Sequence, residues 1–191
     1  MKVLSFSCVI LAAGLLAATG ATNANAEANV EKFFGSYVGS GEAEVLGEAR
    51  KETRDLDITV ERFKDDGFTL KWITVIRSEN GGRIGDDVKR REVEENFVPV
   101  EDKENVFIPS PKGGLFQKSE LPNPLHGDAV RWASVDGDAM TVYSLAISES
   151  GGSELQVYRR TLTQKGMDII FLRLQDEAVK IRMSGKLVRA R

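Results

Sequence analysis

The chain has 191 residues, one histidine, one cysteine and a formal net charge of −3. That inventory leaves almost no room for Ser-His-Asp, Cys-His or histidine-rich metal chemistry, and no Lys/Arg cluster offers an electrostatic footprint for nucleic acid. The length suits one domain with a core large enough to stand without disulfides.

Met1-Lys2 gives a positive start, residues 3–18 are almost wholly apolar or small, and a polar run ends in Ala24-Asn25-Ala26. This is the plan of a secretory signal peptide over 1–26, cleaved after Ala26. The apolar run is shorter than the roughly 20 residues a spanning helix needs. Cys8 would leave with the signal. The mature chain, 27–191, is therefore expected outside the inner membrane, in the periplasm, with no stable membrane anchor.

Residues 28–34 suit one helical turn, with Phe33 and Phe34 plugging one end of a core. The first strand follows. Tyr37, Gly39, Gly41, Ala43 and Val45 share one face, and Glu42 and Glu44 lie on the other. Three glycines inside a strand signal a bend, a bulge or close backbone approach. This stretch is the expected partner of the last strand.

Residues 52–63 alternate, with Leu56, Ile58 and Val60 on one face and Asp55 and Asp57 on the other. Lys64-Asp65-Asp66-Gly67 reads as a hairpin turn with Gly67 at positive φ. In 68–77, Phe68, Leu70, Trp72 and Ile76 share a face, while Ile73 and Val75 make the opposite face apolar too. Further strands are expected at 88–100, 106–108, 129–135, 140–148, 154–163, 167–175 and 178–188, most of them joined by short glycine-containing turns. About ten strands at this spacing, with no amphipathic helix, predict an all-β fold. Short turns favour an antiparallel up-and-down (meander) β-barrel. A two-sheet sandwich would need longer connections.

One connection is long. Residues 109–127 hold four of the five prolines and the only histidine, His126. Leu115, Phe116, Leu121 and Leu125 make this segment too apolar for a linker, so it is expected to fold over the barrel as a lid.

The opening run Gly35-Ser36-Tyr37-Val38-Gly39-Ser40-Gly41 resembles the Gly-x-Trp-x-Gly-x-Gly start of calycin-like barrels. Lipocalins share its Gly-x-Trp beginning, and nitrobindin-like haem-binding barrels share the glycines after it. The resemblance implies a closed antiparallel barrel with Tyr37 near its base. It also implies a cation from the last strand, Arg182 or Arg189, over that ring, a contact worth about 0.5–2 kcal/mol. Nitrobindin-like barrels hold iron on a histidine late in the chain. No histidine follows Ala129 here, so the resemblance carries over for the fold and not for a cofactor.

For binding, the strand aromatics Trp72, Trp132, Tyr143, Tyr158 and Phe171 are either ordinary core or a ligand box, depending on whether ten strands leave a cavity. Tyr37 joins Trp72, Trp132, Tyr143 and Phe171 in the candidate binding set. In 155–161 and in 167–173 an arginine follows apolar residues of the same parity, Arg159 and Arg173. Pointing inward, they would receive an acidic headgroup. At a barrel mouth, they would pair with carboxylates or snorkel to solvent. The expectation is a barrel that holds a small apolar or amphipathic ligand without catalysis, with no cofactor and no metal. The alternative is a filled scaffold that docks a protein partner or forms a homodimer.

Overall fold

The computed structural model describes residues 30–48, 50–78, 88–110 and 122–190. The expected signal at 1–26 and the lid residues Leu115, Phe116 and Leu121 lie outside the described residues. A 3-10 turn at Val30–Phe33 precedes ten strands: β1 Gly35–Val45, β2 Arg50–Phe63, β3 Gly67–Ser78, β4 Val88–Val100, β5 Lys103–Pro109, β6 Val130–Asp136, β7 Ala139–Ile147, β8 Ser153–Thr163, β9 Gly166–Gln175 and β10 Ala178–Arg189. Each pairs antiparallel with its sequence neighbour, and β10 returns to β1, so the sheet is a closed meander barrel. Closure of β10 onto β1 pairs the first and last strands, which is how all-β chains protect the edges most prone to association.

The closing seam is built by glycine. Gly39 stands opposite Leu187 and Gly41 opposite Gly185. A Cβ on Gly39 would lie 2.1 Å from the Lys186 carbonyl oxygen, and one on Gly41 would lie 2.6 Å from that of Ser184. No side chain fits those gaps, so the glycines let β1 and β10 coil tightly against each other. The turn before β3 departs from expectation. Lys64 takes the positive φ, at 54°. Gly67 is required instead because a Cβ there would meet the Phe97 carbonyl oxygen at 2.3 Å.

One half of the barrel is filled. Val60, Phe68, Leu70, Phe97, Val135, Met140 and Met167 turn inward and are buried. Phe68 stacks on Phe97 at 5.0 Å between ring centroids and meets Phe107 edge-on at 5.2 Å. The 3-10 turn closes this base, with Phe33 fully buried, as the plug reading expects. The Tyr37 hydroxyl donates to the Phe33 carbonyl at 3.0 Å and accepts from Arg189 Nη2 at 2.8 Å. The Arg189 guanidinium also lies 5.3 Å over the Tyr37 ring. The cation is therefore Arg189, while Arg182 is exposed on the outer face. Each large apolar side chain buried here contributes about 1.5–3 kcal/mol, so this base is the main store of stability.

The wall is uneven in the other half. β5 pairs with β4 only from Phe97 to Val100, and with β6 only at Val106 and Phe107. Above those positions no described strand lies between β4 and β6. The connection that leaves β5 at Pro109 returns at Val130.

The seam makes a direct prediction. Gly39→Ala drives a methyl into the Lys186 carbonyl and is expected to destabilise the fold by about 1–3 kcal/mol, within the usual range for overpacking. Tm should fall by about 2–4 °C per kcal/mol, while exposed Glu44→Ala on the same strand stays within about 0.5 kcal/mol. Thermal unfolding followed by circular dichroism measures both. Equal stabilities for the two variants would show that the seam is slack.

Candidate functional site

The second half of the barrel is hollow. It encloses a cavity of about 510 Å³. Leu56, Ile58, Trp72, Val142, Phe171 and Met183 supply apolar wall. Arg54, Lys89, Arg91, Arg131, Arg160 and Arg173 supply positive charge, against only Glu52 and Glu154 among the lining carboxylates. The interior is thus opposite in sign to a chain of net charge −3.

Strand periodicity puts these groups inside. On β2, Glu52 and Arg54 continue the face of Leu56 and Ile58. On β8, Glu154, Gln156, Tyr158 and Arg160 turn in, because Tyr158 stands opposite Val142 of β7 and Phe171 of β9. The apolar residues of β8, Leu155 and Val157, therefore face out. Apolar-in alternation is reversed on this strand.

A ladder of rings crosses the lumen. Phe171 packs on Tyr158 at 4.7 Å, and Tyr158 meets Trp72 of β3 at 5.8 Å. Cations cap both ends. The Arg160 guanidinium lies 5.5 Å over Trp72 and 5.8 Å over Tyr158, and Arg54 lies 5.7 Å from Phe171.

The arginines differ in how they are neutralised. Arg173 Nε donates to Glu154 at 2.8 Å, and its Nη2 reaches the same oxygen. Arg54 Nη2 donates to Glu52 at 2.8 Å. Arg131 donates to Glu95 at 3.3 Å, across the interval between β6 and β4. Arg160 is 2% exposed and meets no carboxylate: its Nη1 donates to the Tyr158 carbonyl at 3.4 Å, and its Nε has no partner. Burial pushes the Arg160 pKa down to about 10, partly opposed by attraction to Tyr158, so the group is charged at neutral pH. Burial raises the Tyr158 hydroxyl above its ordinary value, while the charges of Arg160, Arg131, Arg54 and Arg91 pull it back. All four of these arginines line the cavity that Tyr158 shares, and Arg160 lies over its ring. The Tyr158 hydroxyl donates to Gln156 at 2.6 Å, and Gln156 donates to Glu154 at 2.6 Å.

The expected site residues divide three ways. Trp72, Phe171 and Arg173 line the cavity. Tyr37 does not; it is fully buried in the base, held by Phe33 and Arg189. Trp132, Tyr143 and Arg159 lie on the outer face, since Ala133, Val142 and Arg160 are their inward-facing neighbours. There Trp132 stacks on Tyr143 at 4.9 Å, and Arg159 is exposed. Leu125, of the expected lid, is 72% exposed. Sequence reasoning missed the cavity positions of Arg54, Arg91, Arg131 and Arg160, and it left Tyr158, one of the strand aromatics weighed, out of the candidate set. A signal existed: a two-residue hairpin at Gln164-Lys165 sets Tyr158 opposite Phe171, and so puts Arg160, not Arg159, on the face of Phe171. Among the described residues, no group of His, Cys, Asp and Glu side chains is placed to hold a metal ion.

Fold and lumen together define a closed ten-stranded antiparallel barrel with an internal, cation-rich cavity. No family model and no curated protein sequence matches the chain. Among solved structures, the S-type phycobiliprotein lyase of Guillardia theta aligns at 11% identity and TM-score 0.37, over 84% of this chain and 90% of that one. The 12:0-ACP thioesterase of Umbellularia californica aligns at 10% identity and TM-score 0.17, over 84% of this chain and 77% of that one.

The Glu154–Arg173 pair gives a pH test. Burial pushes the Glu154 carboxyl up, but hydrogen bonds from Arg173 and Gln156 and the Arg173 charge outweigh it, so its pKa lies below the usual value. The unfolded chain then binds more protons than the folded one in this window. The stabilisation is present above the ordinary glutamate range and lost as pH falls through it. Glu154→Gln is expected to lower Tm at pH 7, with the gap to wild type closing below about pH 4. A gap of constant size down to acid pH would reject the pairing.

Proposed function

We propose that the protein binds a small apolar or amphipathic molecule inside its barrel and carries it without transforming it. The observation that carries this reading is the cavity of about 510 Å³ crossed by the Trp72–Tyr158–Phe171 ladder. Ligand pockets of roughly 300–1,000 Å³ with a mainly apolar wall and a few placed polar groups are the common kind. Carriage rather than catalysis is supported by the thin acid/base set: the one histidine, His126, is exposed and outside the cavity. Export fits the same reading, supported by the Lys2 start, the apolar run 3–18 and Ala24-Asn25-Ala26. The carrier would then work in the periplasm, on the calycin-like plan.

A second reading has its own observation. The outer faces of β6–β9 carry two apolar rows in register, Trp132–Tyr143–Val157–Leu172 and Val130–Leu145–Leu155–Leu174. An outer sheet face of this kind suits a protein partner or a second copy of the chain.

The cavity is tested with N-phenyl-1-naphthylamine, an uncharged probe whose fluorescence rises in apolar surroundings. Binding is expected to wild type, and is lost in Thr74→Trp, which fills the lumen from its wall. Equal binding by both proteins would sink the carrier reading. Native mass spectrometry of protein recovered from the envelope of its own cells tests the rest. A subunit beginning at Glu27 with an added mass released by unfolding is expected. An intact Met1 start would end the export proposal, and a ligand-free dimer would favour the second reading over the first.

A further inference from the structure

The cavity reading leaves the ligand's chemistry open, and the charge pattern of the wall narrows it. Both lining carboxylates are already engaged, Glu52 by Arg54 and Glu154 by Arg173. Arg131 is matched by Glu95. Arg160 sits deepest, between Met140 and Ile169 in register, and has no carboxylate. The faces of its guanidinium are covered by Trp72 and Tyr158, but ring faces satisfy no N–H group. Its one hydrogen bond, at 3.4 Å, is long for N–H to oxygen. A buried cation with unmet donors is costly, and such charges normally pair or meet an anion.

We propose that the bound molecule is an amphipathic carboxylate, and that its carboxylate end enters first and is received by Arg160. This rests on the carrier reading above. Arg91 lines the same cavity and adds positive charge, while Arg54 and Arg131 are matched by Glu52 and Glu95. The guanidinium fork matches a carboxylate in plane and charge, while its faces stay on the rings. The apolar body lies along the ladder and the Ile58–Leu56 wall. Arg173, reserved by Glu154, does not compete for the headgroup. Ligand-free protein then carries an uncompensated charge that binding neutralises, a stability cost held at a functional site.

The experiment is displacement of N-phenyl-1-naphthylamine by decanoate and by decan-1-ol, which share a chain length and differ in charge. Wild type is expected to prefer decanoate by on the order of 10- to 100-fold, the worth of a charge-assisted hydrogen bond. Arg160→Met should abolish that preference, keep binding of the uncharged probe, and raise the Tm of the ligand-free protein. Arg160→Lys keeps the charge without the fork and should retain a smaller preference, which also serves if the methionine variant does not fold. Arg159→Met, on the outer face, should change nothing. Equal affinity for acid and alcohol in wild type would overturn the inference and leave the carrier reading standing, as would a preference that survives in both Arg160 variants. Failure of the uncharged probe to bind wild type would remove the carrier reading and this inference with it.

Discussion

Closure between the first and last strands is the constraint on which the rest depends. Tyr37 to Val45 must lie against Ile181 to Arg189 over nine paired positions. That approach is possible only because Gly39, Gly41 and Gly185 present no side chain to the facing backbone. Once the ring is shut at ten strands, its circumference exceeds what side chains of ordinary length fill, since about eight strands is the size that packs solid. The surplus space has to go somewhere. The chain solves this unequally: one half is crowded with phenylalanine, methionine and the Val30–Phe33 plug, and the other half is left hollow.

That division separates stability from chemistry. The base buries its aromatics completely and ties both termini of the barrel together, through the Tyr37 hydroxyl, the Phe33 carbonyl and Arg189. A barrel anchored there can carry polar and charged groups in its other half, where each would be harmful in a solid core. Arg160 shows the logic. It stands one step along β8 from Tyr158 and already borders the filled zone at Met140. Desolvation there lowers its pKa to about 10, which leaves it ionised at neutral pH and makes its charge strongly felt by whatever enters.

The fold was legible in the sequence because it depends on patterns of period two punctuated by turns. Ten strands, their order, the closing partner and the Phe33 plug all follow from such local signals. The site was less legible because it depends on which parity faces in, and that is a global property. On β9 the parity of Met167, Ile169 and Phe171 reads correctly, since its inner face is apolar to the last residue before Arg173. On β8 the same rule fails. Leu155 and Val157 look like core and lie outside, while Glu154, Gln156 and Arg160 look like surface and lie inside. The rule assumes a dry interior and a wet exterior. A hollow barrel with an apolar outer stripe inverts both conditions at once. Hairpin arithmetic is immune to this inversion, because it pairs Tyr158 with Phe171 through the backbone alone. The same parity error exchanged Arg160 for Arg159. Tyr37 shows a different limit: an aromatic on the inward face can serve the plug or the cavity, and only its depth along the strand decides.

The inverted strand also links the two surfaces of the molecule. Because alternation is strict, any strand that turns four consecutive polar positions inward must turn the intervening ones outward. Leu155 and Val157 outside are thus the other side of Gln156 and Tyr158 inside. β7 follows suit, with Ser144 and Ala146 facing the lumen and Tyr143 and Leu145 facing out. A water-compatible lumen and an apolar outer face are consequently one feature of the sequence seen from two sides. Changing the register of β8 by one residue would restore apolar-in order. It would also bury Leu155 and Val157 in the lumen, expel Arg160 and Tyr158, and dissolve the ring ladder. The pairings Arg160–Met140 and Arg160–Ile169, fixed by the five-residue loop 148–152 before the strand and the two-residue turn after it, hold the polar face inward.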